Sequence, residues 1–147
     1  MTVRLDEFLP YQLSTSSNAV SDLIASEYKS RFGLKIPEWR VMAVLGTRGA
    51  STQRHLVEAT LMDKVTVNRA VKNLVDRALL DRSPNSADGR SHHLLLSGTG
   101  RDLYEQIMPA AQAMEKKIMA VLSQAEKSQM SAMLAKIKKS ADDIAAE

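Results

Sequence analysis

Apolar residues recur near the 3.6-residue spacing of an α-helix along most of this 147-residue chain. Helix-breaking residues interrupt the spacing, first at Gly33 and Pro37 and then at Gly46 and Gly49. The pattern predicts six helices, near 8–32, 38–47, 51–59, 63–78, 98–122 and 124–145. The segment 79–97 instead holds a polar turn, SPNSADG, between two short runs, which predicts a β-hairpin. The predicted fold class is therefore mainly α with a small β-hairpin.

Two short helices joined by a tight turn, 51–59 and 63–78, are followed directly by the hairpin. This order of elements is that of a winged helix-turn-helix, in which the second helix reads DNA and the hairpin forms the wing. Ser51 and Asp63 stand where the N-caps of these helices are expected, and Ser97 stands before the helix at 98–122. The order of elements therefore favours double-stranded DNA as the partner.

The helix at 63–78 has two distinct faces. A helical wheel places Val67, Val71, Leu74 and Ala78 in one apolar stripe, which is expected to face the core. On the rest of the helix, arginine can donate two hydrogen bonds to guanine, asparagine can pair with adenine, and threonine can meet a base edge or a phosphate. Lysine suits phosphate. The candidate DNA-contact residues are Lys64, Thr66, Asn68, Arg69, Lys72 and Asn73.

Charge placement agrees with this interpretation. Residues 48–95 carry eight Lys or Arg and five Asp or Glu, whereas the rest of the chain is balanced, so the net charge of +3 lies in this segment. Within it, Arg90 follows the polar turn and is predicted to reach an adjacent minor groove. Asp88, two positions earlier, is placed to orient that guanidinium.

Three stretches carry a family resemblance: STQRHLVEAT at 51–60, DKVTVNRAVKNLVDRALLDR at 63–82 and ADGRSHHLLLSGTG at 87–100. They resemble the helix-turn-helix, the recognition helix and the D-x-R wing of the MarR family of bacterial regulators. PEWRVMAVL at 37–45 is similar to the second helix of that family. The chain departs from the family at Ala78, where glycine commonly precedes the apolar pair that opens the hairpin.

The resemblance implies one MarR-like domain over 1–147. About 34–100 would form the winged helix-turn-helix, and about 1–33 and 98–147 would form long terminal helices that interleave in a homodimer. It places Thr66 and Arg69 at base-reading positions and Asp88 and Arg90 at the wing motif. It further implies a repressor that binds a near-palindromic operator and is released by a small ligand.

The terminal helices themselves favour dimerisation. They carry apolar stripes too large for a small winged core to cover, and a partner chain is expected to cover them. The stripe residues are Ile118, Val121, Leu122, Met130, Met133, Leu134 and Ile137. Packing of these helices on their own subunit is the alternative.

Other classes of function find little support. Cysteine is absent, which excludes disulfides and thiol-based sensing. The histidines are His55, His92 and His93, and the last two are neighbours in a predicted strand, where their side chains point to opposite faces. We therefore expect no enzyme, no metal site and no cofactor. A winged-helix module that contacts proteins, without reading DNA sequence, stays open as the alternative function.

Two further expectations concern ligand and location. A small aromatic or carboxylate effector stays open, and Trp39 and Arg40 beside Tyr11 are its candidate surroundings, although core packing is the favoured role of Trp39. No stretch reaches the roughly 18 apolar residues of a membrane span, and the N-terminus lacks the apolar run of a signal peptide. The protein is expected to be cytoplasmic.

Overall fold

The computed structural model describes residues 2–84 and 92–147, which divide into two compact units at the boundary between Gln112 and Ala113. After a 3₁₀ turn at Leu5–Glu7, the elements in chain order are α1 (Leu9–Phe32), α2 (Ile36–Arg48), β1 (Ser51–Thr52), α3 (Gln53–Thr60), α4 (Lys64–Asp76), β2 (Leu80–Pro84), β3 (His92–Leu96), α5 (Gly98–Met119) and α6 (Gln124–Ala145). The prediction of a mainly α fold with a small β component is confirmed.

The three strands form one antiparallel sheet with β3 at its centre. Leu80 of β2 pairs with Leu96, and Ser51 of β1 pairs with Leu94 on the other edge of β3. The predicted hairpin is present, but the prediction of Ser51 as an N-cap is wrong. Ser51 is a buried strand residue, and Thr52 caps α3 by accepting the backbone N–H of His55 at 3.2 Å. Asp63 and Ser97 are N-caps as predicted.

The core of the first unit is built around the inner face of α4. Val67, Val71 and Leu74 are fully buried there, together with Ala70. They belong to one apolar cluster with residues of α2 and β3, namely Val41, Met42, Leu45, Leu94 and Leu96. Burying a side chain of the size of valine or leucine contributes about 1.5–3 kcal/mol, so this face holds α4 firmly on the domain.

Trp39 also belongs to this core. Its ring stacks on that of Tyr104 with the centroids 5.9 Å apart, and Tyr28 packs against it at 5.7 Å. Gly46 permits the approach of Tyr104, since a Cβ there would lie 2.4 Å from the tyrosine ring. The two tyrosines therefore occupy the surroundings of Trp39, and the favoured core role is confirmed. Tyr11 and Arg40 are exposed.

The C-terminus of α4 ends in a Schellman motif with alanine at the position where glycine is usual. The backbone N–H of Leu79 donates to the carbonyl of Leu74 and that of Ala78 to Val75, each at 2.9 Å. Ala78 has a φ of 59° and is exposed. The prediction that Ala78 continues the helix and its apolar stripe is therefore wrong, because the chain turns into the left-handed region two residues after the helix ends.

Arg77, the residue before this turn, connects α4 to the end of α1. Its guanidinium donates to the carbonyl oxygens of Gly33 at 3.0 Å and Phe32 at 3.2 Å. Carbonyl groups at the C-terminal end of a helix lack hydrogen-bond partners within the helix and carry partial negative charge. The guanidinium of Arg77 both donates hydrogen bonds to them and brings a positive charge.

The second unit, 113–147, comprises the end of α5 and all of α6. Ser123 and Glu126 form a reciprocal capping box at the start of α6. Every residue of this unit is exposed or only partly buried, including Val121 at 86% exposure and Met133 at 55%. None of the helices described combines the length with the apolarity required to cross a membrane.

The left-handed alanine generates the first prediction. A non-glycine residue in this conformation costs about 1–2 kcal/mol, and the extra freedom of unfolded glycine offsets about 0.4–1 kcal/mol of that. Ala78→Gly should therefore raise the free energy of unfolding by up to about 1 kcal/mol. Chemical denaturation followed by circular dichroism measures it. Ala132→Gly in the exposed part of α6 is the control and should lower stability; equal losses in both variants would contradict the prediction.

Candidate nucleic-acid interface

The N-terminus of α4 is organised by one carboxylate. Asp63 accepts the backbone N–H of Thr66 at 2.8 Å, and its second oxygen accepts the Thr66 hydroxyl at 2.7 Å. These two hydrogen bonds hold the pKa of the Asp63 carboxyl below its ordinary value, and the bond from the Thr66 hydroxyl has the larger effect. Asp63 is therefore ionised at neutral pH, and both of its oxygens act as acceptors.

The six residues of α4 predicted to contact DNA are all accessible in the structure. Lys64, Asn68, Arg69 and Lys72 are exposed, and Thr66 and Asn73 are half-buried. Val65 lies among them with 65% of its surface exposed. The structure thus presents two ammonium groups, one guanidinium, two amides and a hydroxyl on the side of α4 that the core leaves uncovered.

The structure divides most of these residues between the two sides of α4. Lys64 and Asn68 line a groove of about 430 Å³ between α3 and α4, together with Gln53, Arg54 and Val57. On the other side, a cleft of about 150 Å³ separates α4 from the start of α2. It is lined by Lys35, Pro37, Glu38, Thr66, Arg69, Ala70 and Asn73.

Glu38 closes the cleft as a buried acid. Only 5% of its surface is exposed, and its carboxylate accepts the backbone N–H of Lys35 at 2.9 Å. It thereby caps α2 and leaves Lys35 exposed at the rim. Three residues predicted to meet DNA, Thr66, Arg69 and Asn73, therefore face a cleft that also contains a cation and a carboxylate.

Besides Thr66, two more of the predicted residues are already engaged within the protein. The side-chain carbonyl of Asn68 accepts a hydrogen bond from the amide of Gln53, which joins α4 to α3. The ammonium of Lys72 lies 4.0 Å from the carboxylate of Asp76, one helical turn further on. Asn68 keeps its two amide N–H donors for a ligand, and the exposed pair of Lys72 is weak enough for that residue to be recruited by phosphate.

Sequence reasoning missed three residues that border the same surface. Gln53 and Arg54 begin α3 beside Lys64, and Lys35 precedes α2. A signal for Arg54 was present, because a cation in the first turn of the first helix of a helix-turn-helix lies where that helix crosses the DNA backbone. Asp88 and Arg90, the predicted wing residues, lie outside the described residues.

Comparison with known proteins gives consistent results. The MarR family model matches residues 32–91. The transcriptional repressor NicR of Pseudomonas putida is 29% identical over 86 residues, which are 58% of this chain and 54% of NicR. The transcriptional regulator PecS of Dickeya dadantii is 26% identical over 121 residues, covering 80% of this chain and 70% of PecS.

Solved structures extend the likeness to nearly the whole chain. A MarR/EmrR family regulator from Acinetobacter sp. ADP1 superposes with a TM-score of 0.87 at 26% identity, covering 96% of this chain and 99% of that one. BpsR of Bordetella bronchiseptica has a TM-score of 0.84 at 24% identity, covering 94% and 98%. A mutant MarR from E. coli complexed with operator DNA has a TM-score of 0.80 at 21% identity, covering 92% and 99%.

The winged helix-turn-helix elements, the family model and the matching structures define the class of this protein. Over residues 32–91 the chain matches the MarR family, and its fold is that of MarR-family structures. Its named relatives are transcriptional regulators, a class without catalytic activity, which agrees with the expectation that the chain is not an enzyme.

The N-cap of α4 generates the second prediction. The hydrogen bonds from Thr66 lower the pKa of Asp63 in the folded protein. The ionised carboxylate therefore stabilises the fold at pH values above the pKa that Asp63 has in the unfolded chain. That stabilisation is lost as the pH falls through the lowered pKa of the folded protein. Asp63→Ala should lower the thermal midpoint at pH 7, and its difference from the parent protein should shrink toward pH 3. Asp63→Asn, an equally good cap, should stay close to the parent at pH 7. A pH-independent difference for Asp63→Ala would contradict this account.

Proposed function

We propose that this protein is a homodimeric repressor that reads a near-palindromic site in double-stranded DNA with α4. The observation that carries the proposal is the outward face of α4, where Arg69 and its neighbours stand opposite the buried stripe of Val67 and Leu74. Such a helix fits the major groove, and its side chains match the hydrogen-bonding groups of base edges. The operator complex of the E. coli relative supports the same partner.

The residues of α4 are proposed to make two kinds of contact with DNA. In the proposal, Thr66, Arg69 and Asn73 meet base edges, while Lys64 and Lys72 meet phosphates. Asn68 adds its amide donors from the groove beside α3, next to the exposed guanidinium of Arg54. Phosphate contacts fix the register of the protein on DNA, and base contacts supply the sequence preference.

The wing completes the proposed interface. We assign Arg90 to an adjacent minor groove, with Asp88 orienting its guanidinium. The support is the D-x-R motif and the preference of arginine for narrow, A·T-rich minor grooves.

The proposed release mechanism is the binding of a small aromatic or carboxylate effector in the cytoplasm. The structure of BpsR was described as a mechanism by which 6-hydroxynicotinic acid regulates its DNA binding. That acid is both aromatic and a carboxylate, so it is a suitable first compound to test against a DNA complex of this protein.

The third prediction tests the reading surface. On a site selected from random duplex DNA, Arg69→Ala should cost about 1–3 kcal/mol, because a bidentate contact to guanine is lost, and should leave random DNA nearly unaffected. Lys72→Ala should weaken binding to both and reduce the salt dependence. Fluorescence anisotropy at several salt concentrations measures these effects. Salt-independent binding, or none, would favour the protein-contact module instead.

The fourth prediction concerns the dimer. The stripe on α6 leaves Met133, Leu134 and Ile137 about half exposed, and a partner chain would bury them. The parent protein should have a mass of about 32 kDa in solution, twice the chain mass of 16.2 kDa. Ile137→Asp should shift it toward the monomer, whereas Ala132→Asp, on the opposite side of α6, should not.

Multi-angle light scattering at micromolar concentration measures the mass, and circular dichroism reports whether each variant is folded. A folded parent protein of monomer mass would contradict the homodimer. If both variants lost mass equally, the apolar stripe would not be the cause of dimerisation.

A further inference from the structure

The hydrogen-bond polarity of Thr66 is decided by its neighbour Asp63. The carboxylate already accepts the Thr66 backbone N–H at 2.8 Å and lies 2.7 Å from the hydroxyl oxygen. An ionised carboxylate has no proton to give, so the hydroxyl must donate its single hydrogen to Asp63. The oxygen of Thr66 then has only lone pairs left for any other partner.

This restriction limits which groups of DNA Thr66 can meet. In the major groove, adenine and cytosine present an amino group that donates, whereas guanine presents O6 and N7 and thymine presents O4, all acceptors. Phosphate oxygens are acceptors as well. A hydroxyl that can only accept therefore pairs with an amino group and is repelled by the other partners.

The position of Thr66 allows such a contact. It is the third residue of α4, within the first turn, and the N-terminal residues of a recognition helix are the ones that approach base edges. It lines the cleft that also contains Arg69 and Asn73, and it is half-buried, so its side chain has a defined orientation and an open side.

We propose that Asp63 is a specificity-determining residue that makes Thr66 select a base bearing an exocyclic amino group, adenine or cytosine, at one position of each half-site. The inference rests on the proposed function, since it requires α4 to read DNA. Asp63 itself acts through Thr66 and need not touch a base.

Asp63→Asn provides the decisive change because it retains the cap and reverses the polarity. Asparagine caps helices as well as aspartate, and its carbonyl can take over the Thr66 backbone N–H. Its amide group would then donate to the Thr66 oxygen, which frees the hydroxyl hydrogen to point outward. The variant should therefore prefer guanine or thymine where the parent protein prefers adenine or cytosine.

The experiment selects binding sites from a random duplex library with the full-length parent protein and four variants. The variants are Asp63→Asn, Thr66→Val, Thr66→Ser and the double variant Asp63→Asn with Thr66→Val. Base preferences at every position are compared after sequencing, and circular dichroism reports whether each variant is folded. Thr66→Ser retains the hydroxyl without the methyl group, so it separates hydrogen bonding from contact with a thymine methyl.

The expected result is a change at one position per half-site. Preference there should reverse by about tenfold in Asp63→Asn, persist in Thr66→Ser and vanish in Thr66→Val. In the Thr66→Val background, Asp63→Asn should have no further effect, because the residue through which it acts is gone.

Three results would overturn the inference. Unchanged base preferences in a folded Asp63→Asn variant would show that Asp63 does not control which base Thr66 selects. An effect of Asp63→Asn that persists in the Thr66→Val background would show that residue 63 acts on DNA directly. Uniform weakening in Thr66→Val would indicate a phosphate contact. If the parent protein enriches no sequence, the proposed function fails together with the inference, whereas an enriched site with any of the three results above removes the inference alone.

Discussion

The burial of one face of α4 is the contact on which the rest of the molecule depends. Val67, Val71 and Leu74 are inserted between α2 and the sheet and have almost no exposed surface. A helix held by such a stripe cannot rotate about its axis without exposing it, so the direction of every other side chain on α4 is determined as well. The face proposed to read DNA is therefore positioned by residues on the opposite, buried side of α4.

Both ends of α4 are held by interactions that also serve its neighbours. At the N-terminus, the Asp63 carboxylate binds two donors of Thr66 and so aligns the first turn. At the C-terminus, the Schellman turn leads into β2, and Ser97 donates to the carbonyl of Ala78 at 2.7 Å. Gly100 allows the start of α5 to approach this turn, since a Cβ there would lie 2.0 Å from the Leu79 carbonyl oxygen. Helix α4, the sheet and α5 thus meet at one junction.

The engaged side chains restrict the hydrogen bonds that the surface of α4 can offer more than its composition suggests. A free threonine hydroxyl can donate or accept, and a free asparagine can pair in several ways. In this structure the Thr66 hydroxyl is committed as a donor to Asp63, and the Asn68 carbonyl is committed as an acceptor to Gln53. The first bond uses the only donor of the hydroxyl, and the second occupies the carbonyl oxygen of the amide. Intramolecular hydrogen bonds of this kind preorganise an interface before any partner arrives.

The sequence by itself determined the features that arise within single helices. Helical spacing and N-caps are local, so α6 was predicted at 124–145 and found at Gln124–Ala145, and the inward and outward faces of α4 followed from the wheel. The fold class followed from the order of these elements, and the family resemblance followed from the residues of the stretches 51–60, 63–82 and 87–100. Their physical basis is that helix hydrogen bonds join residues only four positions apart.

Only the tertiary structure decided what depends on residues distant in sequence. The strand β1 has two residues and exists because Ser51 pairs with Leu94, and no periodicity can reveal so short an element. Ala78 leaves the helix because the chain must turn into β2. The cleft between Glu38 and Arg69 forms because α2 packs on α4, and the bond of Gln53 to Asn68 joins residues 15 positions apart. Such contacts are set by how the helices pack together, which is absent from any local pattern of the chain.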